Sequence, residues 1–112
     1  FASGISKFYG LDELKIKESN RLKSMATALS KNGVELKLGR DSIIIQGSKN
    51  QDGGKIVSTE SDHRVAMSML IFGLFSKKPI IIDEMEMIKT SFPNFQKIFQ
   101  KIGAKIEYFQ KP

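Results

Sequence analysis

The chain has 112 residues, 40% of them apolar and 27% charged, with eight Phe, one His and no Cys. This is the size of one domain or part of a larger one, and its apolar content excludes disorder as the main state. Disulfides, thiolate metal sites and multi-histidine metal sites are excluded too, and no apolar run approaches the roughly 18 residues of a membrane span. The 18 basic residues exceed the 12 acidic ones, for a net charge of +6. The excess falls at the two ends of the sequence and not in one block, which leaves an anionic partner and a merely basic surface as equal accounts.

Phe1-Ala2-Ser3-Gly4 has no basic region followed by an apolar stretch, so a signal peptide is not expected, and the cysteine-free composition points to the cytoplasm. Ile5 to Tyr9 and Leu14 to Ile16 read as short extended pieces around a Gly10 turn. Leu22, Met25, Ala26 and Leu29 recur at helical spacing, with Ser19 or Asn20 as N-cap and Gly33 as stop. Val34, Leu36 and Leu38 alternate with Glu35 and Lys37 as a half-buried strand. Ser42 to Ile45 reads as a strand apolar on both faces, and residues 47–54 as a loop.

A second helix is predicted from Ser61 or Asp62 to about Phe75, apolar over enough of its girth to be covered on more than one side. Pro79 to Asp83 reads as another buried strand. A third helix starts near Pro93, with Phe95, Ile98, Phe99 and Ile102 as its core face and Gly103 as its stop. Ala104 to Phe109 completes the pattern as a strand. Ile-rich strands mixed with amphipathic helices predict an α/β fold.

An internal repeat supports that class. Ile16-Lys17-Glu18-Ser19 recurs as Ile88-Lys89-Thr90-Ser91 at an offset of 72 residues, and Lys31 to Leu36 recurs as Lys101 to Ile106 at an offset of 70. Phe75 to Lys78 before a strand mirrors Phe1 to Gly4 before a strand, so the first four residues read as the tail of a helix and the chain as a fragment.

The chemistry is concentrated at three predicted helix starts: Lys17-Glu18-Ser19-Asn20-Arg21, Asp62-His63-Arg64 and Lys89-Thr90-Ser91. A helix N-terminus carries unpaired N–H groups and partial positive charge, so cations there are unfavourable unless an anion joins them. Arg21, Arg64, Lys17 and Lys89 together suit a small, multiply charged anion. Each also has a plain structural account: Arg21 and Arg64 as ion-pair partners of Glu18 and Asp62, the two Lys as solvated strand ends, and Asp62 as a helix cap. Glu18 is either a helix-dipole partner or, held between Lys17 and Arg21, a group that exchanges a proton with a bound ligand. His63 reads more readily as a hydrogen-bonded structural residue than as a catalyst. Gly33 to Gly39 and Gly47 to Gly54 lack the setting of a phosphate loop, no nucleophile elbow is present, and two Tyr with no Trp make a poor base-stacking surface.

Three runs carry a resemblance: Glu13-Leu14-Lys15-Ile16-Lys17-Glu18-Ser19-Asn20-Arg21-Leu22, Asp62-His63-Arg64-Val65-Ala66-Met67 and Lys89-Thr90-Ser91-Phe92-Pro93. In order and spacing they resemble the C-terminal end of the 5-enolpyruvylshikimate 3-phosphate synthases, or 3-phosphoshikimate 1-carboxyvinyltransferases. The sequence departs from that pattern at Asn20, where Asp is usual, and at Lys15, where Arg is frequent; neither is a ligand position. The resemblance implies an inside-out α/β barrel of βαβαββ units, with residues 1–112 the C-terminal portion of one enolpyruvyl transferase domain and the opposing domain absent. It implies transfer of the enolpyruvyl group of phosphoenolpyruvate to shikimate 3-phosphate, in aromatic amino acid biosynthesis, without a metal or redox cofactor. By position, Arg21, Arg64 and Lys89 resemble the phosphoenolpyruvate ligands, Lys17 a shikimate 3-phosphate contact and Glu18 the proton-transfer acid. The missing N-terminal portion of the same enzyme is then the partner, and neither nucleic acid nor membrane is. Competing accounts are the sister transferase acting on UDP-N-acetylglucosamine, against which the Lys-Glu-Ser-Asn-Arg run argues, a basic nucleic-acid-binding module, and an oligomerisation domain.

Overall fold

The computed structural model describes residues 1–17, 20–83 and 92–106. Its elements are β1 (Ile5–Phe8), a 3-10 helix (Asp12–Ile16), α1 (Arg21–Lys31), β2 (Glu35–Leu38), β3 (Ile43–Gln46), β4 (Ile56–Val57), α2 (His63–Phe72), β5 (Ile81–Ile82) and α3 (Phe95–Lys101). β1, β3 and β2 form an antiparallel sheet in that order, while β4 and β5 pair in parallel through the crossover that contains α2. The mixed α/β architecture predicted from the residue pattern is present.

α1 lies between this sheet and α2. Its Leu22 and Ala26 pack with Ile43, Leu11 and Leu14, and its Ala28 turns to the other side, into a core of Val57, Val65, Met69 and Phe72. Met69, Val57 and Val65 are fully buried, each contributing about 1.5–3 kcal/mol by removing its side chain from water. α2 is covered on a second side by α3, where Ala66 meets Phe95, as its broad apolar girth predicts. Asn20 caps α1 by accepting the Lys23 N–H at 3.2 Å, so the Asn serves where the resembling family usually has Asp.

Several expectations are corrected. Leu14 to Ile16 belongs to a 3-10 helix and not to an extended piece, because Leu14 N–H closes onto Leu11 O and both Leu turn inward. The strand expected at Ser42 to Ile45 runs over Ile43–Gln46 and is apolar on both faces as expected, with Ile43 and Ile45 toward the core and Ile44 on the outer face, in register between Lys7 and Lys37. The second helix ends at Phe72, with Gly73 to Phe75 in turns. The strand expected over Pro79–Asp83 shortens to Ile81–Ile82, since its parallel partner is only two residues long. On α3, Phe95 is buried but Ile98 and Ile102 are exposed, because no described element packs on their side. Ala104 to Ile106 is irregular, held by Phe99 O and the Gln100 side chain; Glu107 to Phe109 lies outside the described residues. Phe1–Gly4 carries no helical turn, and the Phe1 ring packs on those of Phe72 and Phe75 at 5.1 and 5.7 Å. Among the described residues no helix is long and apolar enough to cross a membrane.

The loop after β3 is anchored by Asn32, which is fully buried at the end of α1. Its Nδ2 donates to Ala28 O at 2.9 Å, its Oδ1 accepts from Lys55 N–H at 2.9 Å, and its carbonyl accepts from Gly53 N–H at 3.0 Å. Gly53 has φ 71°, and a Cβ there would meet Lys78 O at 2.5 Å, so the loop approaches the 76–78 turn only because that position is glycine. Asn32→Ala leaves the Lys55 N–H without its buried acceptor. Urea denaturation of the variant is expected to show a loss of about 1–3 kcal/mol; a loss under roughly 0.5 kcal/mol, the usual surface value, is incompatible with the anchor.

Candidate functional site

Two of the three helix starts meet at one point. Arg21, the first residue of α1, forks onto Asp62, the N-cap of α2, with Nε to Oδ2 at 2.9 Å and one terminal nitrogen to Oδ1 at 3.2 Å. The Asp62 side chain is fully buried and that of Arg21 is 13% exposed. Asp62 Oδ1 also accepts the Arg64 N–H at 3.0 Å, which caps α2.

Neither helix has an acidic residue in its own first turn. Asp62 therefore supplies negative charge to both N-termini and offsets the unfavourable position of Arg21 on α1. Because an isolated buried carboxylate is costly, the fork, the capped N–H and the two helix ends together make its burial tolerable.

The ion pair differs from the expected one. Asp62 pairs with Arg21 and not with Arg64, because its side chain folds back onto the Arg64 backbone N–H and residues two apart do not face each other on a helix. Arg64 is exposed, and among the described residues its guanidinium has no hydrogen-bond or ion-pair partner. The same holds for Lys17, exposed at the end of the 3-10 helix and four residues before Arg21. His63 is half-buried, and no described group hydrogen-bonds its ring. Glu18 and Lys89, the remaining candidates, lie outside the described residues, as does the second copy of the Ile-Lys-Glu-Ser repeat unit. The structure thus brings together Arg21, Asp62 and Arg64, with Lys17 one helix entry away.

Two further residues at this point went unnoticed in the sequence. Thr59 is fully buried, and both its N–H and its Oγ1 donate to Asp83 Oδ1, at 3.1 and 2.7 Å. They are 24 residues apart in an unremarkable context, so no local signal marks them. An open groove of about 500 Å³ lies nearby, walled by Asn20, Lys23, Lys31, Ser58 and Glu60; Arg21, Asp62 and Arg64 do not line it.

What the arrangement can do chemically is bind an anion. Arg64 presents a charge with no described partner in the first turn of α2, the helix whose cap, Asp62, also locks the direction of the Arg21 guanidinium.

Known proteins share both the sequence and the architecture. The family model for EPSP synthase (3-phosphoshikimate 1-carboxyvinyltransferase) matches residues 1–107. The 3-phosphoshikimate 1-carboxyvinyltransferase of Bartonella quintana (strain Toulouse) is 47% identical over 108 residues, which is 95% of this chain and 24% of that protein. The protein of the same name from Rhodopseudomonas palustris (strain TIE-1) is 44% identical over 105 residues, again 24% of its length. A solved structure of EPSP synthase from Acinetobacter baumannii superposes with a TM-score of 0.90 at 35% identity, covering 97% of this chain and 26% of that one. The chain therefore spans about a quarter of the length of the relatives it matches. Motif order, fold and a match over nearly the whole length agree: the chain belongs to the EPSP synthase family.

Proposed function

We propose that the chain forms one wall of an enolpyruvyl transfer site, in an enzyme that joins phosphoenolpyruvate to shikimate 3-phosphate. The observation that carries this reading is the Arg21–Asp62 fork. It sets the starts of α1 and α2 side by side, so that Arg21 and the first turn of α2, which carries Arg64, share one carboxylate although they are far apart in sequence. Arg21, Arg64 and Lys89 hold the phosphate and carboxylate of phosphoenolpyruvate, Lys17 contacts shikimate 3-phosphate and Glu18 carries the proton. That the relatives are 3-phosphoshikimate 1-carboxyvinyltransferases favours shikimate 3-phosphate over a UDP-sugar acceptor.

The chemistry needs these residue types. Protonating the methylene carbon of phosphoenolpyruvate leaves an oxocarbenium-like centre, which the shikimate hydroxyl attacks; losing phosphate and the added proton then gives the enolpyruvyl ether. The charge on the reacting oxygens changes at both steps, and cations fixed in direction stabilise it without reorganising. Proton carriers are needed on both sides of the substrates and water must be excluded, which requires the opposing domain. Residues 1–112 are accordingly the C-terminal portion of one domain, their partner is the rest of the enzyme, and the cysteine-free sequence fits a cytoplasmic setting.

Arg64 and Arg21 should separate cleanly. In an enzyme carrying both domains, Arg64→Ala is expected to weaken phosphoenolpyruvate use by about 2–4 kcal/mol in kcat/KM, the range for a charged contact buried in the closed site, with little change in melting, because Arg64 is exposed in the fold itself. Arg21→Ala takes the guanidinium away from a buried carboxylate and should cost about 3–5 kcal/mol of stability as well. Normal kinetics from folded Arg64→Ala enzyme would remove that residue from the site.

Glu18→Gln keeps shape and hydrogen bonding but not the proton. The rate constant is expected to fall by ~10²–10⁴ while substrate affinity stays within a few-fold. An unchanged rate constant returns Glu18 to a helix-dipole role.

The isolated 112 residues should not turn over, and should bind phosphate or phosphoenolpyruvate no better than about millimolar, since exposed charge contacts each contribute little. In a phosphate titration followed by NMR, shifts should cluster at Ser19 to Arg21, Asp62 to Arg64 and Lys89 to Ser91. Submicromolar binding of oligonucleotides with no response at those helix starts is the outcome that defeats the proposal.

A further inference from the structure

Immediately before α2, two consecutive residues that are not glycine take left-handed backbones: Glu60 at φ 52° and Ser61 at φ 54°. A Cβ makes that conformation unfavourable, and it persists only where the surroundings over-determine it. Here both ends of the turn are anchored. At its start, buried Thr59 gives its N–H and its hydroxyl to the same oxygen, Asp83 Oδ1, at 3.1 and 2.7 Å. Asp83 follows β5, and its own N–H donates to Val57 O at 3.2 Å, so its position is set by the β4–β5 pair. At the end of the turn, Asp62 N–H closes back onto Thr59 O at 2.9 Å, and the Asp62 side chain is held by Arg21 and by the Arg64 N–H.

We infer that Thr59 and Asp83 are positioning residues for the anion site: their clamp keeps Glu60 and Ser61 left-handed, and that turn aims Asp62 at Arg21 and starts α2 with Arg64 facing outward. Neither residue touches the anion. The anion part rests on the function proposed above; the clamp itself rests on the hydrogen bonds and the backbone. Without Asp83, Thr59 loses its acceptor, the turn relaxes towards right-handed or extended backbone, and Asp62 leaves the fork. Glycine at position 60, where the glutamate side chain accepts only from the exposed Ser58 hydroxyl at 3.1 Å, carries no Cβ penalty in the left-handed region and so replaces part of what the clamp does. A residue that merely stabilised the fold would not be compensated specifically there.

The test uses the ¹⁵N-labelled 112-residue chain as wild type, Asp83→Ala, Glu60→Gly and the double variant. Two signals are read: hydrogen exchange at Arg21 Nε–H, which the fork slows, and the response of the Asp62 to Arg64 amides to inorganic phosphate. Asp83→Ala is expected to speed the Arg21 exchange about tenfold or more and to weaken the phosphate response about threefold or more, as local opening of the turn requires. The double variant is expected to return both to within about twofold of wild type. Asp83 is exposed, so its truncation leaves no buried void. If it nevertheless fails to fold, Thr59→Val, which keeps shape without the hydroxyl, is compared with Thr59→Ser, which keeps the hydroxyl; only Thr59→Ser should preserve slow exchange. Unchanged Arg21 exchange in folded Asp83→Ala, or no recovery with Glu60→Gly, overturns the inference. If exchange behaves as expected but phosphate moves none of these amides even in the wild type, the clamp on the fork stands and the anion reading is what falls.

Discussion

A carboxylate with no solvent exposure, Asp62, faces a guanidinium from another helix, and the arrangement of this chain depends on that contact. Burying an ion pair is seldom a gain in stability over a well-packed apolar pair, because desolvation of both charges opposes their attraction. What the pair supplies is direction. Two parallel N–H···O contacts at 2.9 and 3.2 Å fix the guanidinium plane, and with it the relation between the first turns of α1 and α2. The surrounding core of Val57, Val65 and Met69 could hold the helices together but could not specify that relation, since apolar contacts have no orientation.

That constraint divides the cations into two kinds. Arg21 is locked and largely shielded, while Arg64 is exposed and has no described partner. On the function proposed, an anion at this surface would meet one charge that is free to close on it and another whose position is already set. The ordering entropy of the second is spent in folding and not in binding. Lys17, exposed at the end of the 3-10 helix, is a third cation four residues before Arg21 and takes no part in the locked pair.

Much of this was legible in the sequence, and the division follows the range of the interactions. Helix ends were readable because caps and stops are local: Asn20 before α1, Asp62 before α2, and Gly33 and Gly103 with φ of 97° and 106°. The helix-start cations were readable for the same reason. Which carboxylate meets which cation was not, because Arg21 and Asp62 are 41 residues apart and the nearer candidate, Arg64, is the one its neighbour in sequence suggests. β4 could not be read either: two residues carry no periodicity, and Ile56–Val57 becomes a strand only through its partner Ile81–Ile82. The exposed Ile98 and Ile102 show the converse failure. Their helical spacing is genuine, but spacing says which residues share a face and not whether anything covers it.

The buried polar residues make the same point energetically. Asn32, Gln51, Thr59 and Asp62 are at most 4% exposed, and no buried side-chain nitrogen or oxygen among the described residues lacks a partner. Asn32 and Asp62 accept from the Lys55 and Arg64 backbone N–H groups, partners that no substitution removes, so an apolar residue in either place would leave a donor unpaired. These buried polar groups are not spread through the core. Asn32 and Gln51 tie the loop after β3 to its neighbours, where backbone groups need acceptors and donors. Thr59 and Asp62 sit within four residues of each other, beside a backbone that is strained at Glu60 and Ser61. Strain next to dense, fully satisfied hydrogen bonding is what a fold needs where geometry matters more than stability. At the start of α2 that geometry sets the direction of the fork and the exposure of Arg64, and both are lost together if the turn relaxes.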